Sequence, residues 1–305
     1  MTPAFDKGHR VNEYIILEKI YHGGKSDIYF ADDPRNRRRV ALKIFRGEFF
    51  SPDTLATFLS HAANLMRLNH VGLVKIHEVF VFESHPVLVM DFCEGQSLTE
   101  MLKNFEATPQ KATDIMIQVL ETLDYVHREN IIHGPIAPSQ VIIGLDGSAR
   151  VIGFDELYYD SQAVAIHRPE YAAPELAEES PPDKRSDLFS VGVILYELLA
   201  GESPFRGNNR AESLELVKTH TPTALSKIRP ELPHRLDNIL QRLLSKEPDH
   251  RYQNAADVIH DLRGLTLGDN AASEVKPAVD WWNRYVVPAA VAVLIIIALL
   301  WILRR

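Results

Sequence analysis

Apolar residues in this chain change their period part-way along, and that change limits the folds open to it. YIILEKI (14–20), DIYFADD (27–33), RRVALKIF (38–45), LVKIHEVFVF (73–82) and PVLVMDF (86–92) are rich in β-branched and aromatic residues and separated by turn residues, so each predicts a strand. Between the third and the fourth, TLATFLSHAANLMRLN (54–69) sets Leu55, Phe58, Leu59, Ala62, Leu65, Met66 and Leu68 at helical spacing. Beyond Gln96 the periods are mostly helical up to Leu265. Five strands around one helix, then a helix-rich half, predict an α+β fold of two lobes, the small one at about 14–93 and the large one at about 94–265.

Composition removes several function classes. With 46% apolar and 24% charged residues among 305, the chain is that of a globular protein. A net charge of −8 argues against a nucleic-acid partner, which calls for a basic field. A single cysteine, Cys93, leaves no internal disulfide and suits a reducing compartment. The 13 histidines are scattered singly, without the pairing that a metal site needs.

The two ends differ. Residues 1–13 are polar, lack the apolar core of a secretory signal and are expected to be an extension of the domain. VVPAAVAVLIIIALLWIL (286–303) has eighteen residues without a charge. As a helix it would span roughly 27 Å, close to the hydrocarbon thickness of a bilayer. Trp281, Trp282, Tyr285 and Trp301 sit where interfacial aromatics belong, and Arg284, Arg304 and Arg305 bracket the run. A single-pass anchor at 281–305 is expected, preceded by a small, polar juxtamembrane linker at 266–280, with the globular part in the cytoplasm.

Motifs narrow the fold further. Val40-Ala41-Leu42-Lys43 reads like V-A-I-K on a third strand, AAPE (172–175) like A-P-E, and Asp187, Ser190 and Gly192 fill the pattern D-x-x-S-x-G. Arg251 follows in a helical C-terminal stretch. In this order, from about 14 to 265, the chain resembles the protein kinase superfamily, in particular the membrane-anchored, eukaryotic-like Ser/Thr kinases of bacteria. The resemblance implies a small β lobe, a larger helical lobe, an ion pair between Arg251 and Glu175, and ATP between the lobes.

It also shows what is missing. The Gly-rich phosphate loop keeps only Gly23 of three glycines, in YHGGKS (21–26). His61 stands where the helix should offer a Glu to Lys43. H-R-D-x-x-x-x-N becomes His133-Gly134-Pro135, with Ala137 at the Lys position and Gln140 at the Asn. Pro135 carries no proton acceptor, and in place of D-F-G stand Gly153-Phe154-Asp155, so the metal-binding carboxylate is a hydrogen. Asp155 falls two residues late, across Phe154, and is a weak metal candidate. HREN (127–130) reads as a surface helix end, and Asp124 and Asp146 as a helix face and a turn. Tyr158, Tyr159 and Ser161 are phosphorylation candidates, but the Arg that would clasp a phosphate is Gly134.

Other positions persist. Ile28, Ala41 and Ile142 match the residues that sandwich adenine, Met90 the gatekeeper, and Asp91 to Cys93 the hinge. Leu65, His133, Phe154 and Asp187 match packing positions at the lobe junction. The resemblance therefore implies a pseudokinase: a membrane-tethered signalling scaffold that binds or regulates a kinase, a phosphatase or a membrane complex. Two alternatives stand beside it. One is an atypical Ser/Thr kinase using Lys43 with Asp155 or Gln140; the other is a sensor that binds ATP without Mg²⁺.

Overall fold

The computed structural model describes residues 5–103, 108–155 and 168–265. The expected linker, the apolar run at 286–303 and the candidates Tyr158, Tyr159 and Ser161 lie outside them. Among the described residues, no helix is long and apolar enough to cross a membrane.

The small lobe is a curled antiparallel sheet. Its strands are β1 (Arg10–Val11), β2 (Tyr14–His22), β3 (Ser26–Asp33), β4 (Arg38–Phe45), β5 (Ile76–Phe82) and β6 (His85–Asp91), in the spatial order β1-β2-β3-β4-β6-β5. Six strands form where five were expected. The extra one, β1, comes from the segment read as an extension, because Val11 has no exposure and Phe5 packs with it on Tyr29 and Phe82. Two isolated apolar residues in a polar stretch give no period to read.

Alternation in β4 decides both faces of this sheet. Val40, Leu42 and Ile44 join Ile16, Tyr29 and Val87 in one core cluster. On the opposite face Phe45 joins Phe58, Ala62 and Leu88 in another. Phe58 and Ala62 belong to α1 (Pro52–Leu65), which Ser51 caps by accepting from the Thr54 N–H. The helix stops four residues short of its expected end, as Met66 and Leu68 enter the turn to β5, whose start lies at Ile76 rather than 73.

The large lobe begins with β7 (Gly95–Ser97), α2 (Leu98–Leu102) and α3 (Pro109–Arg128). β8 (Val141–Gly144) and β9 (Ala149–Val151) complete a three-stranded sheet with β7. Helices α4 (Pro174–Ala177), α5 (Lys184–Ala200), α6 (Arg210–Thr219), α7 (Leu225–Ile228), α8 (His234–Leu243) and α9 (Ala255–Arg263) make up the rest. α5 is buried all round from Ser186 to Leu199, as its largely apolar sequence requires, and ends at Gly201 in the left-handed region.

Candidate functional site

Strand register builds the upper wall of the cleft. Residues directly opposite each other in an antiparallel pair share a face, as do positions i and i+2 of one strand. Lys43 lies opposite Ile28 of β3, and Ala41 opposite Met90 of β6. Ile28, Ala41, Lys43 and Met90 therefore share one face. At the hinge, the Asp91 carboxylate accepts from the His77 imidazole at 2.6 Å, and Arg150 of β9 donates to Cys93 Sγ at 3.5 Å. Burial pushes the Cys93 thiol up. Ile142, half-buried on β8, is paired with Ser97 and Arg150.

Lys43 has found a carboxylate where none was expected. Its Nζ lies 2.6 Å from Asp155 Oδ2, with the two side chains only 9% and 6% exposed. The missing Glu is thus replaced by a carboxylate 112 residues away in sequence. Asp155, expected as a weak metal candidate across Phe154, is the carboxylate on Lys43. His61, at the position of that Glu, donates instead from Nε2 to the Phe154 carbonyl at 2.9 Å. Burial pulls the His61 imidazole below its ordinary value, so it stays neutral near pH 7.

Next to this pair the room for a metal ligand is filled. Gly153 has φ +98, and a Cβ built on it would lie 2.6 Å from Gln140 Nε2. The Gln140 Oε1 accepts from the Ala137 N–H at 3.0 Å. Among the described residues, no three His, Cys, Asp or Glu side chains converge on one point. At the family's metal position Gly153 offers no side-chain donor, while the nearby Asp155 carboxylate is on Lys43 and the Gln140 Oε1 on a backbone N–H. Pro135 follows Gly134, whose carbonyl accepts from the Ile136 N–H at 2.7 Å.

The phosphate loop is also turned in on itself. The Gly23 N–H donates to the Ser26 carbonyl at 3.0 Å, and Arg46 donates to the Gly23 carbonyl at 2.8 Å. A Cβ at Gly23 would come within 2.8 Å of both the Tyr21 ring and the Ser26 carbonyl. Its glycine serves this close turn, and its N–H is already bonded.

The scaffold around the loop centres on Asp187. Asp187 of α5 accepts from the His133 and Gly134 N–H groups at 2.9 and 2.8 Å, and from His127 Nε2 at 2.8 Å. His127 was read as part of a surface helix end; its side chain is 5% exposed and forms a third prop of Asp187. The His133 ring meets Phe154 edge-on at 4.6 Å and donates from Nε2 to the Ile152 carbonyl. Leu65, Met90, Phe154 and Asp155 line a small cavity together with Leu68 and Ile76. Lower down, Arg251 forks over Glu175 at 2.8 and 2.7 Å, with the Arg251 side chain fully buried. Burial alone would push the Glu175 carboxyl up, but the Arg251 and Ser186 donors outweigh it and hold the carboxyl below its usual range.

Comparison with known proteins agrees with this geometry. Residues 14–262 match the family described as protein kinase domain. A probable serine/threonine-protein kinase of Streptomyces coelicolor is 31% identical over 277 residues, covering 85% of this chain and 41% of the relative. PrkC of Bacillus subtilis is 29% identical, covering 84% of this chain and 41% of its own length. PknB of Mycobacterium leprae is 28% identical, covering 83% and 43%. The chain thus spans about two fifths of the length of these curated relatives. The crystal structure of the Mycobacterium tuberculosis PknI kinase domain superposes with a TM-score of 0.71 at 22% identity, covering 85% of this chain and 99% of that one. The two-lobed fold, the family match and the relatives lead to one conclusion: the chain belongs to the protein kinase family, of the bacterial serine/threonine type.

Proposed function

We propose that this chain is a pseudokinase that acts as a signalling scaffold. One observation carries the reading: the position of the metal ligand is Gly153, with the Gln140 amide packed against it. A phosphoryl group in transfer carries charge that Mg²⁺ and a positioned base must offset. Here the Pro135 side chain has no acceptor, and Asp155 is engaged by Lys43. Loss of a general base alone costs about 10²–10⁴ in rate. The intact shape around Asp187 then serves recognition, and the surface it holds would recruit a kinase, a phosphatase or a membrane complex. The apolar run at 286–303 would tether it to a membrane, with the kinase-like domain in the cytoplasm.

A second reading is an atypical Ser/Thr kinase. The names of the relatives favour it, as does Lys43 still facing the cleft beside a carboxylate. The two readings separate in one assay. The full chain in detergent micelles is incubated with γ-labelled ATP, Mg²⁺ or Mn²⁺ and a Ser/Thr peptide mixture, beside Lys43→Met. Scaffolding predicts no incorporation above the Lys43→Met background. Incorporation that Lys43→Met abolishes would establish the kinase reading instead.

A further inference from the structure

Lys43 and Asp155 reach each other from different lobes, one from β4 and the other from the segment after β9. Building on the pseudokinase reading of this site, we propose that Asp155 is an internal stand-in for a nucleotide phosphate: its carboxylate holds the Lys43 ammonium, fastens the lobes together without ligand, and turns metal-free ATP away.

Three observations support this. First, the contact is short and dry, at 2.6 Å with both side chains under a tenth exposed, where charges attract far more strongly than in water. Second, neighbouring contacts close the same seam. His61 of α1 donates to the Phe154 carbonyl, and Leu73 bridges to Val151 in parallel fashion. The seam is therefore joined at 151, 154 and 155 by protein groups alone. Third, the position that carries the metal-binding carboxylate in the family is a glycine here. In this family a divalent cation sits between carboxylate and phosphates. Gly153 and the engaged Gln140 amide offer it no ligands here. A triphosphate arriving at Lys43 would meet the Asp155 carboxylate on the same ammonium with no cation between them. The Gly23 N–H, bonded to Ser26, adds no compensating donor.

The test uses the full chain in detergent micelles, with ATP in EDTA as the probe. Asp155→Asn keeps the side-chain shape and removes the charge. It should bind ATP at least about tenfold more tightly than the natural chain, and Asp155→Asn combined with Lys43→Met should lose the gain. Hydrogen exchange without nucleotide reads the fastening separately. Backbone amides in 38–45 and 151–155 should exchange at least about tenfold faster in Lys43→Met, a variant that leaves Asp155 untouched. Exchange in the doubly substituted chain should be no faster than in either single variant, since one contact is lost once. Metal-free ATP binding by Asp155→Asn equal to or weaker than that of the natural chain would overturn the proposal, as would unchanged exchange in Lys43→Met. Both results leave the scaffold reading intact. That reading falls to a different result, Mg²⁺-dependent phosphotransfer by the natural chain.

Discussion

Asp187 and Asp155 are both buried carboxylates near the catalytic-loop position, and they have had opposite fates. Asp187 accepts from His133, Gly134 and His127, and so holds the loop in the shape a kinase uses. Asp155 sits where the family has a glycine, and has taken the Lys43 ammonium that a helix Glu would hold. Around Asp187 the loop N–H groups, and below it Glu175 and Arg251, meet their partners in the expected places, with His127 as an added contact. Around Asp155 the roles are reassigned: His61 bonds a carbonyl, Gln140 fills the space beside Gly153, and the Pro135 side chain has no acceptor. The difference teaches that the parts which make the shape and the parts which make the reaction are separable, because packing and catalysis use different atoms of the same loop.

Substitutions can break or sharpen that contrast. The largest effect should come from Arg251→Met in the lower region. It strands Glu175 as a buried carboxylate without its fork, which costs about 3–5 kcal/mol. The urea midpoint of the full chain should fall accordingly, and a loss below 1 kcal/mol would show the pair to be incidental. Next, Asp187→Ala leaves two buried N–H donors and His127 without their acceptor, at about 1–3 kcal/mol for each group left unsatisfied. Protection of the 133–134 amides from hydrogen exchange should drop most.

The cleft should respond differently. Gly153→Asp restores the family's residue but forces a side chain at positive φ into Gln140 Nε2, so it should destabilise by about 1–3 kcal/mol. Adding Gln140→Asn should return part of that loss in the same urea series. Equal midpoints for single and double variants would mean that Gln140 does not fill the space. The smallest effect is a pH slope. His61 has its folded-state value depressed by burial, so the unfolded chain binds the proton more readily. Its contribution is therefore full above the unfolded value of about 6.5 and is lost as pH falls below it. Between pH 7.5 and 5 the natural chain should lose more stability than His61→Gln does. Parallel curves would place His61 in water rather than against Phe154.

Much of this was legible from residues alone, for a definite reason. RRVALKIF sets both sheet faces by strict alternation, and β4 runs from Arg38 to Phe45 as that stretch predicts. The buried α5 shows in its largely apolar sequence, and Glu175 and Arg251 in motifs whose order is fixed along the chain. Other features had no local signal. β1 is two residues long and is a strand only because β2 lies beside it. His127 sits in a polar HREN stretch, and only the approach of α5 buries it. The Lys43 carboxylate is the clearest case. Asp155 was visible as an extra acid beside Phe154, yet nothing within a window of sequence points it at a strand 112 residues earlier.

The sequence by itself determined the two-lobed plan, the family and the list of absent groups, since side-chain period and residue identity are properties of the chain. The tertiary structure decided what stands in the emptied places. Gln140 against Gly153, and Asp155 on Lys43, depend on atoms brought together across the lobe junction. There, low exposure gives a single ion pair a weight that no pattern of neighbours in sequence can express.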